Sequence, residues 1–146
     1  MVDVSTEITI GRPVAEVAAY ARDPTNATHW YANIESSRLL TPPPLAVGSR
    51  ISFVAHFLGR RLEYTYEVVE MVGDHRFVMR TADGPFAMET TYSWEPLATD
   101  ATRMTLRNRG QPTGFGAAVA LLMGPAIRWA NRKDLRRIKA VLEDTH

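Results

Sequence analysis

The sequence has no cysteine among its 146 residues. This absence excludes disulfide bonds, thiolate nucleophiles, iron–sulfur clusters and zinc sites with cysteine ligands. The four histidines are scattered without an HxxxH or HExxH spacing, and neither a Gly-x-Ser-x-Gly motif nor a phosphate-binding glycine loop is present. We therefore expect no bound metal and no cofactor, and motifs assign no catalytic residue.

The sequence also lacks a long hydrophobic run. The longest apolar stretch, residues 115–127, is too short to span a bilayer and is interrupted by Gly116, Gly124 and Pro125. The first ten residues alternate apolar and polar side chains and do not have the regions of a secretory signal. These features predict a soluble, cytoplasmic protein that is not an integral membrane protein.

The net charge is close to zero, with 17 Lys and Arg residues against 16 Asp and Glu residues. The chain as a whole therefore shows no bias towards nucleic acid, and we expect no nucleic-acid partner. The charge is nevertheless uneven: residues 1–102 have 8 basic and 13 acidic residues, and residues 103–146 have 9 basic and 3 acidic residues. The basic C-terminal third could face an anionic partner, or it could be only the solvated face of a helix.

Length and composition indicate one folded domain over residues 1–146, because 45% of the residues are hydrophobic and 23% are charged. Helical spacing predicts two short helices, one beginning at Pro13 and one over residues 27–32. Alternation with period two predicts strands. The predicted strands cover residues 2–10, 34–40, 50–58, 62–72, 76–81, 86–95 and 102–109.

A long amphipathic helix is predicted at the C-terminus. Its apolar face contains Ile127, Asn131, Leu135, Ile138 and Leu142. Gly124 and Pro125 should kink or break this helix, so residues 115–123 form either its first half or a separate helix. Short connections between the strands imply an antiparallel sheet, and the sheet is the available partner for the apolar face of the helix. The predicted fold is α+β, with a curved seven-stranded antiparallel sheet wrapped around the C-terminal helix.

The inner face of the predicted sheet is rich in large, amphipathic or flexible side chains. These are Tyr64, Tyr66, Tyr92, Trp94, Met79, Met88, Phe53, Phe57, Phe77 and Phe86. Buried tyrosine and tryptophan need hydrogen-bond partners, and methionine adapts to irregular volumes. The pattern favours a cavity that holds water or a ligand. The alternative is a well-packed core whose tyrosines reach its rim.

Further candidates lie outside the centre of the sheet. Asn108 is inward on the last strand and could orient a polar ligand group or bond only to the backbone. Trp30 could close one end of the cavity or pack as a core aromatic. Arg128 could hold an acidic head group or lie on the surface. A movable lid is a further possibility, built from Phe115, Leu122 and Met123.

Short motifs over almost the whole chain resemble the START-like, Bet v 1-like superfamily, and within it the bacterial polyketide cyclase/dehydrase and lipid-transport (SRPBCC) family. The motifs are RPVAEV at 12–17, DPTNATHW at 23–30, VGSR at 47–50, LGR at 58–60, YEVVE at 66–70, DGPF at 83–86 and DLRRIK at 134–139. The resemblance implies a helix-grip fold with a deep cavity that binds a hydrophobic small molecule or lipid. These motifs are structural, and the superfamily has no universal catalytic motif to transfer.

Three functions stay open from the sequence. The favoured one is binding of a hydrophobic ligand without catalysis. The second is an aromatase/cyclase-type enzyme in which Tyr64, Tyr66 and Tyr92 polarise a substrate carbonyl. The third is an interaction module that uses the basic C-terminal helix. The predicted ligand contacts are Trp30, Phe53, Phe57, Tyr64, Tyr66, Met79, Met88, Tyr92, Trp94, Asn108, Phe115 and Met123.

Overall fold

The computed structural model describes residues 2–57, 59–83, 87–111 and 117–144, apart from the side chains of residues 83 and 117–120. Within these ranges seven strands form one antiparallel sheet. They are β1 Val2–Ile10, β2 Ile34–Leu39, β3 Arg50–Phe57, β4 Arg60–Val72, β5 Arg76–Asp83, β6 Met88–Ala98 and β7 Ala101–Gly110. Their order across the sheet is β1-β7-β6-β5-β4-β3-β2.

Strands β2 to β7 form a meander, and β1 is added at its β7 edge. Strands β2 to β7 each pair with their neighbour in sequence, and β1 pairs with β7 from Val2 opposite Gly110 to Ile10 opposite Thr102. Tight turns make this possible, because Gly59 and Gly73 adopt φ values of 77° and 47° between consecutive strands. Since β1 and β2 lie at opposite edges, the chain between them must cross from one edge of the sheet to the other.

That crossing segment contains the two short helices, α1 Val14–Arg22 and α2 Ala27–Trp30. A 3-10 turn, Pro24–Asn26, joins them, and the Asp23 side chain caps it by accepting a hydrogen bond from the Thr25 backbone N–H at 2.9 Å. Both helices lie where the sequence predicts them, although α2 ends two residues earlier than residue 32. The crossing segment therefore brings Trp30 and the residues after it towards the C-terminal helix.

The long helix, α3 Ala117–Asp144, is continuous through Pro125. A break at Gly124 and Pro125 is therefore wrong, and residues 117–123 form the first half of α3. Proline removes the hydrogen bond to the carbonyl group four residues earlier, which belongs to Leu121. Leu121 and Pro125 are both exposed, so water can solvate that carbonyl group without a cost in the core.

The curved sheet packs around α3, which is the predicted helix-grip arrangement. Leu135, Ile138 and Leu142 of α3 are at most 3% exposed and belong to the main core. The C-terminal end of the helix is anchored to the end of β1, where the Gly11 N–H donates to Glu143 Oε2 at 2.7 Å and Lys139 Nζ donates to the Thr9 carbonyl at 2.9 Å. The sheet and the middle of α3 enclose the candidate site.

Candidate functional site

A cavity of about 150 Å³ lies between the inner face of the sheet and the middle of α3. Its apolar wall comes from both elements. It includes Ile34, Phe53, Ala55, Phe57, Leu62, Met79, Met88, Ile127 and Ala130. Rigid, apolar cavities of roughly this volume are known to bind a benzene-sized molecule. The site is therefore large enough for an organic group and offers that group mainly hydrocarbon contacts.

Most of the predicted ligand contacts meet at this cavity. Those on its wall are Phe53, Phe57, Tyr64, Tyr66, Met79, Met88, Tyr92 and Asn108. The predicted contact Phe115 and the inner-face residue Phe86 lie outside the described residues. Strand alternation thus found the sheet side of the wall, because every second residue of β3 to β7 faces inwards.

The structure places three other predicted contacts in the packed core and not on the wall. Trp30 is fully buried, with its ring stacked on Tyr31 at 4.0 Å and edge-on to Tyr92 at 5.7 Å. Trp94 is 3% exposed and lies on β6, a strand that α1 contacts. Alternation tells which side of the sheet a residue faces, but it does not tell whether a helix covers that position.

Met123 is the third of these, since it packs fully buried against Val2, Val4 and Ile127 in a smaller core cluster. Of the residues predicted to build a movable lid, Met123 is therefore a core residue, and Phe115 lies outside the described residues. Leu122, another proposed lid residue, is 61% exposed. Arg128 is also exposed and is not a wall residue, so the structure does not place it against a ligand head group.

A chain of hydrogen bonds connects three polar residues of the cavity wall. The Thr90 hydroxyl donates to Asn108 Oδ1 at 2.7 Å, and the Tyr66 hydroxyl lies 3.0 Å from Thr90 Oγ1. With its own proton given to Asn108, Thr90 accepts the proton of Tyr66. Burial raises the pKa of Tyr66 to about 12, so the phenol stays protonated at neutral pH. These hydrogen bonds fix the orientation of the Tyr66 side chain. Because the Tyr66 hydroxyl donates its proton to Thr90, it has no proton left to donate to a ligand.

The two remaining inner-face tyrosines differ in their partners. The hydroxyl oxygen of Tyr92 lies 2.5 Å from that of Tyr31, which follows α2. The Tyr64 ring lies 5.4 Å from the Phe53 ring, and its hydroxyl has no hydrogen bond to the part of the chain that the structure describes. Burial raises the pKa of Tyr64 and of Tyr92 well above the ordinary value. Tyr64 therefore offers the cavity a free neutral donor.

The helix side of the cavity contributes an acid, Asp134, which is 3% exposed. Its Oδ1 accepts a hydrogen bond from the Ala32 backbone N–H at 3.0 Å. Burial raises the pKa of Asp134 to about 6, although this hydrogen bond and the charges of Lys133 and Arg137 act in the opposite direction. At neutral pH the side chain is therefore mostly a carboxylate at the edge of an apolar space.

Sequence reasoning missed several polar wall residues, chiefly Tyr31, Thr90, Asn131 and Asp134. Three of them did leave a signal. Thr90 lies two positions before Tyr92 on β6, so alternation places it on the inner face of the sheet. Asn131 is a polar residue on the apolar face of the predicted helix, and Asp134 follows it by three positions, which is again the same face. Tyr31 lies in the connection after α2, where no periodicity reports orientation.

The described residues contain no group of three His, Cys, Asp or Glu side chains that could hold a metal ion. No helix in the described part of the chain is long and apolar enough to cross a membrane. The cavity and its few polar groups are the features from which a function can be argued.

A seven-stranded sheet that grips a C-terminal helix around an apolar cavity defines a protein of the START-like class. The chain belongs to the family described as polyketide cyclase/dehydrase and lipid transport, whose family model matches residues 1–143. No curated protein matches the sequence significantly.

Solved structures agree with this assignment at the level of the fold. A Thermus thermophilus protein is similar with a TM-score of 0.83 at 20% identity, covering 99% of both chains. The aromatase/cyclase Zhui of a Streptomyces species has a TM-score of 0.80 at 13% identity, covering 97% of this chain and 93% of its own. A START superfamily protein of Mycobacterium smegmatis has a TM-score of 0.76 at 15% identity, covering 95% and 98%.

Proposed function

We propose that this protein binds a hydrophobic small molecule or lipid in the cavity between the sheet and α3. The observation that carries the proposal is the apolar cavity of about 150 Å³, whose wall includes the buried core residues Phe53, Tyr66 and Met79. Binding there removes apolar ligand surface from water, which stabilises the complex by roughly 25 cal/mol for each Å² buried. A few convergent polar groups in an apolar wall are typical of small-molecule sites.

The proposal is tested first by native mass spectrometry of the purified protein, followed by denaturing extraction of any compound that co-purifies. Isothermal titration with 1-octanol and with 2-naphthol then measures binding directly, and a bound ligand should also raise Tm in a concentration-dependent way. If no compound co-purifies and neither alcohol binds or raises Tm, the proposal is wrong.

A matched pair of variants shows whether the ligand occupies this cavity. Ala130 lies on the wall and Ala140 is exposed ten residues further along the same helix. Ala130→Trp should fill the space and abolish binding of 2-naphthol, whereas Ala140→Trp should bind it as the unmodified protein does. Equal affinity in both variants would place the ligand elsewhere.

A second candidate function is an aromatase/cyclase-type reaction on a polyketide-like substrate. The unpaired hydroxyl of Tyr64 favours it, because a neutral phenol in an apolar cavity can donate a hydrogen bond to a carbonyl oxygen that gains negative charge. One of the proteins with a similar fold is an aromatase/cyclase, so the fold is compatible with a reaction of this kind.

The candidate reaction is tested with a linear poly-β-ketone thioester, with cyclised product followed by liquid chromatography and mass spectrometry. Tyr64→Phe should lower turnover more than Tyr66→Phe, because the Tyr66 proton is already used by Thr90. If the protein produces no more cyclised product than the buffer does, or if Tyr64→Phe, Tyr66→Phe and Tyr92→Phe all leave turnover unchanged, this mechanism is excluded.

A further inference from the structure

The wall of the cavity carries an acid and no strong base among the described residues. Asp134 supplies a carboxyl group, and no lysine or arginine is among the described residues of the wall. The wall histidine, His56, has a side chain that is 56% exposed and lies 3.7 Å from Glu35. Among the described residues, the cavity therefore has no lysine or arginine placed to neutralise an anionic ligand.

Beside Asp134 the wall holds an unsatisfied amide. Asn131 is 4% exposed, and its Nδ2 has no hydrogen-bond partner within the described ranges. A buried polar group without a partner destabilises a fold, so such a group in a cavity wall points to a ligand atom that completes it. Asn131 and Asp134 are three residues apart on α3 and therefore face the same side.

The other groups near Asp134 are already engaged or point to solvent. Tyr31 and Tyr92 hydrogen-bond to each other, and their phenols are neutral at physiological pH. Lys133 and Arg137 are exposed, and Arg137 donates to the His29 carbonyl at 2.8 Å. Within the described residues, the only hydrogen bond of the Asp134 side chain is the one from Ala32.

We propose that Asp134 and Asn131 form a subsite for an uncharged hydroxyl group on the hydrophobic ligand, and that this subsite rejects carboxylic acids. This inference rests on the proposed binding function and adds the class of ligand, which is an alcohol or phenol. The ligand hydroxyl donates its proton to the Asp134 carboxylate and accepts a hydrogen bond from the Asn131 amide. One hydroxyl thereby satisfies both side chains.

Two neighbouring ligand classes fit this subsite less well. A carboxylate would bring a second negative charge close to Asp134 in a medium of low dielectric constant, where like charges repel strongly. A pure hydrocarbon would leave the Asn131 amide unpaired and would also desolvate the Asp134 carboxylate. The expected selectivity for alcohols therefore comes from two buried polar side chains whose hydrogen bonds only an uncharged hydroxyl group can satisfy.

The test compares head groups on one hydrophobic skeleton. Binding of naphthalene, 2-naphthol, 2-naphthoate and 2-naphthylmethylamine is measured by isothermal titration at about pH 7.5, where the naphthol is neutral and the acid is ionised. 1-Octanol and octanoate provide a second, flexible pair. We expect each alcohol to bind at least about tenfold more tightly than the corresponding acid.

Two variants assign that selectivity to the subsite. Asp134→Asn keeps an oxygen that can accept the Ala32 N–H, and it should raise the affinity for 2-naphthoate about tenfold relative to 2-naphthol. Asp144→Asn removes the same charge from an exposed position on α3 and should leave the ratio unchanged. Asn131→Leu should shift the preference from 2-naphthol towards naphthalene.

The outcomes separate this inference from the binding function itself. If the alcohols bind and the acids bind as tightly, or if the cationic amine binds more tightly than 2-naphthol, the hydroxyl subsite is wrong and the binding function stands. An unchanged acid-to-alcohol ratio in Asp134→Asn also overturns the subsite. If none of these compounds binds, the proposed function fails and the subsite fails with it.

Discussion

The hydroxyl groups of Tyr31 and Tyr92 lie 2.5 Å apart and join the connection after α2 to the centre of the sheet. Tyr92 comes from β6, and its ring also lies 5.9 Å from the Phe77 ring. Tyr31 stacks on the fully buried Trp30. This contact stabilises part of the cavity wall, because both tyrosines belong to it.

The losses of stability from removing the two hydroxyl groups of this pair should not be additive. Tyr31→Phe or Tyr92→Phe alone should lower the free energy of unfolding by about 1–3 kcal/mol, since each leaves a buried hydroxyl without its partner. The double variant should lose less than the sum of the two. Urea denaturation of all four proteins forms a double-mutant cycle. Additive losses would show that the two hydroxyls do not interact.

The pH dependence of stability should contain a contribution from Asp134. Its pKa is about 6 in the folded protein and about 4 in the unfolded chain, so the folded state binds the proton more tightly. The resulting stabilisation is complete below about pH 4 and is lost as the pH rises through about 6. Burial raises the pKa of the nearby Tyr31 and Tyr92 well above this range, so both phenols stay neutral across it.

Asp134→Asn isolates that contribution. The variant should match the unmodified protein near pH 4 and exceed it by about 2 kcal/mol near pH 8, because it has no carboxylate to desolvate. Chemical denaturation at a series of pH values measures the difference. Asp144→Asn, at an exposed position, should show no such trend. Parallel curves for Asp134→Asn and the unmodified protein would contradict the assigned pKa.

The two tryptophans at opposite extremes of exposure should respond differently to substitution. Trp30→Phe should destabilise the protein by about 2 kcal/mol, because it leaves a void in a fully packed region. Trp129 is 64% exposed, with Lys133 Nζ 5.2 Å from its ring, and Trp129→Phe should change stability by less than about 0.5 kcal/mol. Thermal and urea unfolding measure both values, and equal effects would refute the placement of Trp30 in the core.

Glu89 on the outer face should contribute more than an ordinary surface acid. It accepts hydrogen bonds from Arg80 Nη2 at 2.7 Å and from Arg109 Nη2 at 3.0 Å, and these contacts lower its pKa. Its stabilisation is therefore present above its unfolded pKa and decreases as the pH falls. Glu89→Gln should cost about 1 kcal/mol near pH 7, and high salt should reduce the loss.

Glu63→Gln is the matched control for that measurement, because the Glu63 side chain is 70% exposed and pairs only loosely with Arg61 at 3.3 Å. It should change the free energy of unfolding by no more than a few tenths of a kcal/mol. A loss in Glu63→Gln as large as that in Glu89→Gln would show that the two-arginine contact adds nothing.

Local patterns predicted the elements of this fold because each element has its own period. Strands such as β3 and β6 alternate with period two, and α3 carries an apolar face from Ile127 to Leu142. Resemblance of short motifs then indicated the family, which the family model confirms. Of the kink or break predicted at Gly124 and Pro125, the break does not occur, because a proline on an exposed helix face removes one hydrogen bond that water can replace.

The sequence by itself determined the strand faces, the antiparallel sheet, the long amphipathic helix and the aromatic side of the cavity wall. Only the tertiary structure decided which inward residues line the empty space, because that depends on which other element covers each of them. In the structure Trp30, Trp94 and Met123 are buried in the core and do not lie on the wall. Tyr31 and Asp134, which were not predicted as ligand contacts, do lie on it. Periodicity is a property of one element, whereas a cavity is what several elements leave unfilled when they pack.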